Sequence, residues 1–353
     1  MRGKRWLLWL SALLAVLALA TVAAGCGGDD DDEEAADTAA ATTGGDTGAA
    51  GGEPIRVGLV TDIGGLNDRG FNSLANQGLE RAADELGVET RVLESKSDAD
   101  YIPNLSQLAE EGYDLIISVG FLMGEATEKA ATEFPDSDFA IIDFAYEAPA
   151  ANLQGLVFKE QEVGYLVGYL AGLKTETAVL SSVGGQKIPP VDRFIAGYAA
   201  GAKAANPDVQ TLNGYSQDFV DQAKCKEIAL NHLAEGAQVV FQVAGQCGLG
   251  ALDAAKEKGM LGIGVDADQG YLGAHILTSA QKKVDVAVFD TAKAVQDGSF
   301  AGGEDQIFDL KSDGVQLGKL NADGEPFADQ IEEIKQQIID GEISDIPATV
   351  PKN

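Results

Sequence analysis

From Ile55 onward, short uninterrupted runs of Val, Ile and Leu are separated by longer stretches whose apolar residues return every third or fourth position. The runs at 55–60, 115–119, 139–142, 177–183, 239–243, 261–265 and 275–278 are continuous rather than alternating. They therefore predict strands buried on both faces. Residues 71–86, 160–173, 192–205, 222–234 and 282–295 carry helical spacing, and Leu74, Leu79, Ala82 and Leu86 line one face of the first. Alternation of this kind excludes an all-helical or all-strand protein and predicts parallel sheets covered by helices on both faces. About 300 residues of it exceed what one such domain usually holds, so two α/β lobes are expected.

The residues that follow each strand carry the candidate chemistry. Asp62 comes after the first run, Gly120-Phe121 and Asp143 after two others, and Gly245 and Asp266 after two in the second half. Ligands of open α/β sheets bind beyond the carboxyl ends of the strands, so these residues should share an edge, and two such edges facing each other make a cleft. Any one of these acids alone would read as a helix cap or turn former. Their recurrence in both halves favours a site.

Cys225, near the start of a helix, and Cys247, just past the following strand, should lie on one edge of the second lobe, within reach of a disulfide. Two buried free thiols or a reactive cysteine are the alternatives. Closing that loop would contribute roughly 3 kcal/mol.

The first 53 residues are of another kind. A basic start (Arg2, Lys4, Arg5) precedes an almost wholly apolar run from residue 6 to 24, then Ala23-Ala24-Gly25-Cys26. That order matches an export signal over residues 1–25, and a cysteine placed there resembles a bacterial lipobox, with Cys26 the lipidated residue. A retained membrane anchor is the other reading of so long an apolar run. Residues 27–53 hold nine acidic side chains and no large aliphatic, so residues 26–53 read as a lipidated cysteine followed by a disordered acidic linker. Export also permits the disulfide.

Composition narrows the function. The chain has 56 acidic against 25 basic residues, a net charge of −31, and a polyanion such as nucleic acid would be repelled. Two histidines and three cysteines leave little material for a His/Cys metal cluster or a Ser-His-Asp site, so neither metal nor cofactor is expected. The stretch GQCGLG (245–250) has the wrong spacing for a phosphate-binding loop.

VGLVTDIGGLNDRGFNSLANQGLERA (57–82), GGQKIPPVDRFIAGYAAGAKAANP (184–207), FVDQAKCKEIAL (219–230), QVAGQCGLGALDAAKEKG (242–259), GVDADQGYLG (264–273) and LTSAQKKVDVAVFD (277–290) together resemble, in order, the basic membrane protein family, substrate-binding lipoproteins of nucleoside ABC importers. The resemblance implies a type I periplasmic-binding-protein fold: two Rossmann-like lobes, a hinge and a central ligand cleft. Lobe boundaries are expected at 54–147 with 273–303, and 148–272 with 304–353.

Carried onto this sequence, the resemblance implies that Asp62 and Asn72 hydrogen-bond a base edge or ribose, with Asn67 and Asp68 shaping their loop. Phe71 and Phe219 would sandwich a purine, Asp143 would face the base, and Gly245 would bring backbone close to the ligand. Asp266 with Lys282 would grip ribose hydroxyls; a one-residue change of register would exchange Lys282 for Lys283. The chemistry is coherent, since aromatic faces suit a flat base and a carboxylate accepts from neighbouring hydroxyls. Gln246-Cys247 departs from the family's glycine-threonine at that point.

The implied protein is not an enzyme. It is a monomeric receptor, lipid-anchored to the cell membrane and facing away from the cytoplasm, that passes a nucleoside to a permease and its ATPase. A sensing lipoprotein using the same cleft for a nucleoside or sugar, and a nucleoside hydrolase built on the Asp cluster, are the alternatives.

Overall fold

The computed structural model describes residues 54–350. The export signal, Cys26 and the acidic linker lie outside the described residues. The strands β1 (Arg56–Thr61), β2 (Glu89–Glu94), β3 (Leu115–Val119), β4 (Asp138–Ile142) and β5 (Leu153–Phe158) alternate with helices α1 (Phe71–Leu86), α2 (Tyr101–Glu110) and α3 (Gly124–Glu133). A second series repeats the scheme: α4 (Glu160–Lys174), β6 (Val179–Gly184), α5 (Pro189–Ala205), β7 (Gln210–Tyr215), α6 (Gln222–Ala234), β8 (Val239–Val243), α7 (Gly245–Glu257), β9 (Leu261–Asp266) and β10 (Ile276–Lys282). The chain ends with α8 (Val284–Gln296), β11 (Gln306–Phe308), β12 (Val315–Leu317) and α9 (Ala328–Ile339).

Two six-stranded sheets result, ordered β2-β1-β3-β4-β5-β11 and β7-β6-β8-β9-β10-β12. The two orders correspond strand for strand. Every described pairing is parallel except β10 with β12. Each sheet reverses its winding between its first and third strands, β1/β3 in one lobe and β6/β8 in the other. Such a switch point leaves a crevice at the carboxyl ends.

The central strands are built from residues with almost no solvent exposure. All of β3 (LIISV) and all of β8 (VVFQV) are buried, as expected for strands covered on both faces.

The lobe boundaries differ from those read in the sequence. β5 pairs with β4 through Phe139↔Leu153 and so belongs to the first sheet, which moves the first crossing from 147 to beyond Phe158. β10 pairs with β9 and β12, keeping residues 276–282 in the second lobe. The second crossing therefore follows Lys282, and α8 returns to pack on α1, β3 and β4. The third crossing lies between β11, which is parallel to β5, and β12. Lys282 also ends a strand instead of opening a helix, because it is paired with Val315.

Helices α4 and α5 approach closely along a glycine stripe. Gly164, Gly168 and Gly172 on α4 face the backbone of Phe194, Tyr198 and Ala202 on α5, where any methyl group would collide with a carbonyl oxygen. Close approach seats the first residue of α4, Glu160, beside Arg193 of α5.

Candidate ligand-binding site

The two carboxyl edges enclose a cleft of about 630 Å³, its open mouth included, a size suited to a small molecule. From the first lobe it is lined by Asp62, Asp68, Phe71, Asn72, Gly120, Phe121 and Asp143. The second lobe adds Phe194, Phe219, Ala244, Gly245, Gln246, Asp266 and Lys282.

Asp62 is set at the first switch point by its own N–H, which donates to the Val119 carbonyl at 3.1 Å. The Asn72 amide donates to its Oδ1 at 3.2 Å, and the Asn72 carbonyl oxygen is buried without a protein partner. Opposite stands Gly120, at φ +121°, where any side chain would collide with the Asp62 carboxyl. Burial, with help from the charges of Asp68 and Asp143, pushes Asp62 up to about 8. Asp68 has another task. Its oxygens accept from the N–H groups of Gly70, Asn72 and Ser73 at 2.7–3.1 Å, which caps α1 and fixes Phe71 and Asn72.

Asp143 and Asp266 occupy corresponding places, just after β4 and at the end of β9. Both have left-handed backbones, at φ +79° and +61°, a conformation that Asp tolerates better than most residues. Strain of this sort, repeated at matching positions, turns both carboxyls into the cleft edge. Burial raises Asp266 to about 7, opposed by Lys282 and reinforced by Asp143, Asp68 and Glu160.

Lys282 is only 1 % exposed and is ion-paired to Asp143 across the lobes and to Glu160 at 2.8 Å. Its ammonium lies 5.2 Å from the Phe71 ring, 4.8 Å from Phe158 and 5.9 Å from Phe194. Glu160 is fully buried and also accepts from Arg193 at 2.5 Å. Burial opposes its ionisation, but the charges of Lys282 and Arg193 win and hold it below the usual carboxylate range. For Asp143 burial outweighs Lys282, and its carboxyl is raised. Burial would lower Lys282, yet Asp143, Glu160 and Asp266 outweigh it and keep the ammonium charged.

Sequence reasoning therefore brought together Asp62, Phe71, Asn72, Asp143, Phe219, Gly245, Asp266 and Lys282, all of which line the cleft. Asn67 does not line it. It is exposed, in an adjoining hollow with Arg69, Gln222 and Asp253. Lys283 is half-buried and pairs with Asp285, so the cleft residue is Lys282. The Cys225–Cys247 disulfide is present, with Cα atoms 5.6 Å apart.

Glu160 and Arg193 were missed. Glu160 opens a helix, where acids commonly serve the helix dipole, and nothing in the sequence says that it is buried. Arg193 falls in the stretch 192–205 read as a helix, and apolar spacing predicts the helix without saying that this side chain meets Glu160. The one usable signal was Gly164/Gly168/Gly172, whose four-residue spacing marks a helix packed close to a neighbour.

A cleft between two matched α/β lobes, crossed three times by the chain and lined from both sides, defines a two-lobed solute-binding protein. The family model for the ABC transporter substrate-binding proteins described as PnrA-like matches residues 55–349, and the chain belongs to this family, Bmp. It is 35% identical over 312 residues to the ABC transporter nucleoside-binding protein BmpA of Lactococcus lactis, covering 82% of this chain and 88% of the relative. It is 38% identical over 279 residues to a protein of Pyrococcus horikoshii named as a lipoprotein, covering 75% and 69%. Among solved structures, an ABC transporter solute-binding protein of Aeropyrum pernix K1 superposes with a TM-score of 0.76 at 32% identity, covering 83% of this chain and 94% of that one.

The protein is thus a substrate-binding component of an ABC transporter and not an enzyme. No helix among the described residues is long and apolar enough to cross a membrane.

Proposed function

We propose that the solute is a nucleoside, with purine nucleosides preferred, and that closure of the lobes around it presents it to a permease and its ATPase. The observation that carries this reading is the lining of the cleft: Phe71 from one lobe and Phe219 from the other, beside the carboxyls of Asp62, Asp143 and Asp266. Aromatic faces add ~0.5–1.5 kcal/mol per stacked base beyond area burial. A carboxyl kept neutral by burial, as at Asp62, can donate to a base or sugar oxygen as well as accept, and one that ionises accepts from sugar hydroxyls through charge-assisted bonds. A solute that touches both lobes gains affinity only when they close, which is what couples binding to presentation.

Acids outnumber cations in the cleft, and the one lysine is already shared by Asp143 and Glu160. A neutral nucleoside therefore suits the site and a nucleotide does not, because its phosphate would enter a cleft rich in acids with no unpaired cation among the described lining residues. The name of the Lactococcus relative agrees with the class of ligand.

Calorimetry with adenosine, guanosine, inosine, cytidine, uridine, their monophosphates and free ribose tests the reading. Nucleosides should bind and monophosphates should bind at least tenfold more weakly. Indifference to every nucleoside ends this assignment, and tight binding of ribose alone would replace it with sugar import.

Anchoring through a lipidated Cys26 completes the proposal, supported by the Ala-Ala-Gly-Cys order and by the lipoprotein named among the relatives. The full chain expressed in a bacterial host should partition into detergent phase, and Cys26→Ala should not.

A further inference from the structure

The Cys225–Cys247 bridge lies beneath one wall of the cleft. It joins the first turn of α6 to the first turn of α7, and both sulfurs are buried among Val183, Ala229, Val240, Ala244 and Ala251. Between β7 and α6 runs the loop that carries Phe219, and this loop depends on the same two helix starts. The Cys247 N–H donates to the Phe219 carbonyl at 3.0 Å, and the Ser216 hydroxyl oxygen lies 3.4 Å from the Cys247 sulfur.

The Phe219 ring lies over Gly185, where any side chain would collide with it. Gly245, two residues before Cys247, has its backbone at φ +53° with the Phe219 carbonyl close by. The loop's other anchors are at its ends. Ser216 and Gln217 donate to the carbonyls of Gly184 and Gly185 at 2.9 Å, Asp218 accepts from the loop N–H groups of Val220 and Asp221 and pairs with Lys224 of α6 at 2.6 Å, and Asp221 caps α6 through the Ala223 N–H. At the Phe219 peptide itself, the hold from outside the loop is the one from α7, and α7 is tied to α6 by the bridge.

We propose that Cys225 and Cys247 are positioning residues for ligand binding: their disulfide fixes the α6 and α7 starts so that Phe219 is held at the height and tilt a flat solute needs. Neither sulfur touches the cleft, so the effect passes through the Phe219 peptide. The proposal rests on the nucleoside reading given above.

The test is a thermodynamic cycle with inosine as probe, measured by calorimetry well below the melting temperature. Wild type, Phe219→Ala, a bridge-less protein and the combined protein are compared. The bridge-less protein is made twice, as Cys225→Ala with Cys247→Ala and as the volume-preserving Cys225→Val with Cys247→Ala, so that one poorly packed version does not decide the outcome. Losing the bridge should weaken inosine binding about 3–10-fold, the worth of a partly lost stack. In the Phe219→Ala background the same loss should cost under twofold, because the two act through one contact.

A bridge that serves only stability would lower the melting temperature and leave affinity unchanged, or give losses that multiply in the combined protein. Either result overturns the proposal. Hydrogen exchange of the ligand-free protein gives a readout independent of any solute: amides of 216–221 and of residue 247 should exchange faster without the bridge, and unchanged protection there also refutes it. If wild type binds no nucleoside, the nucleoside reading itself fails. If wild type binds and the bridge-less protein binds equally well, only this proposal fails.

Discussion

Replacing Lys282 by Met tests the electrostatic core of the cleft. Methionine keeps most of the stem among Phe71, Phe158 and Phe194 and removes the ammonium shared by Asp143 and Glu160. The two acids then fare differently. Glu160 keeps Arg193 at 2.5 Å and stays compensated, whereas Asp143 loses its one ion-pair partner among the described residues while remaining buried. Breaking a buried pair from one side costs about 3–5 kcal/mol. The lower end applies, because Asp143 can shed its charge by binding a proton. A loss of about 3 kcal/mol lowers the melting temperature by roughly 5 °C for a folded body of about 300 residues, at ~2.1 cal/mol/K of unfolding entropy per residue.

The sign of the pH dependence follows from linkage. In the variant the folded Asp143 carboxyl lies still further above its ordinary value. Its contribution to stability is whole below the ordinary carboxylate range and disappears as pH rises through the raised folded value. The gap between variant and wild type should therefore be small near pH 5 and widest near pH 8. Thermal melts followed by far-UV circular dichroism measure this, and they suit the chain because its two tryptophans, Trp6 and Trp9, both fall in the expected export signal. Adding Asp143→Asn to Lys282→Met should recover most of the lost stability. A single variant as stable as wild type at every pH, or a double variant with no recovery, would show that the ion network is not what holds this region.

Asp266→Ala should weaken nucleoside binding about tenfold in calorimetry while the melt stays cooperative, since removing one partner of a buried hydrogen bond costs about 1–3 kcal/mol. For Asp62, raised to about 8 by burial, stability is retained at acid pH and lost as pH climbs through that value; the unliganded protein should melt lower at pH 9 than at pH 6, and Asp62→Asn should flatten the slope. Gly120→Ala should cost a few kcal/mol in urea denaturation and abolish binding, because the new methyl group meets both a positive φ and the Asp62 carboxyl.

How far the sequence could be read follows from where each residue's neighbours come from. β3, β8 and helices α1 and α6 were legible to the residue, because doubly buried strands and one-sided helices impose a period on their own segments. β2 (ETRVLE) and β7 (QTLNGY) escaped because they are sheet edges with few buried positions. β5 escaped for a different reason: its place is decided by Phe139 and its neighbours on β4, not by its own pattern.

The same division applies to the site. Asp62, Asp143 and Asp266 could be picked out because strand ends converge. Glu160 and Arg193 could not, since their burial depends on how closely two helices pack. Asn67 was drawn in by its neighbours in the loop, although its side chain faces solvent.

The threefold crossing between lobes bears on how the molecule is made. The first sheet receives its last strand, β11, from residues 306–308, after the whole second sheet except β12 has been laid down. A chain that emerges amino end first cannot finish its leading half until nearly all of it has been released. Until then β5 presents a raw hydrogen-bonding margin, a hazard for clumping that folding chaperones would have to shield.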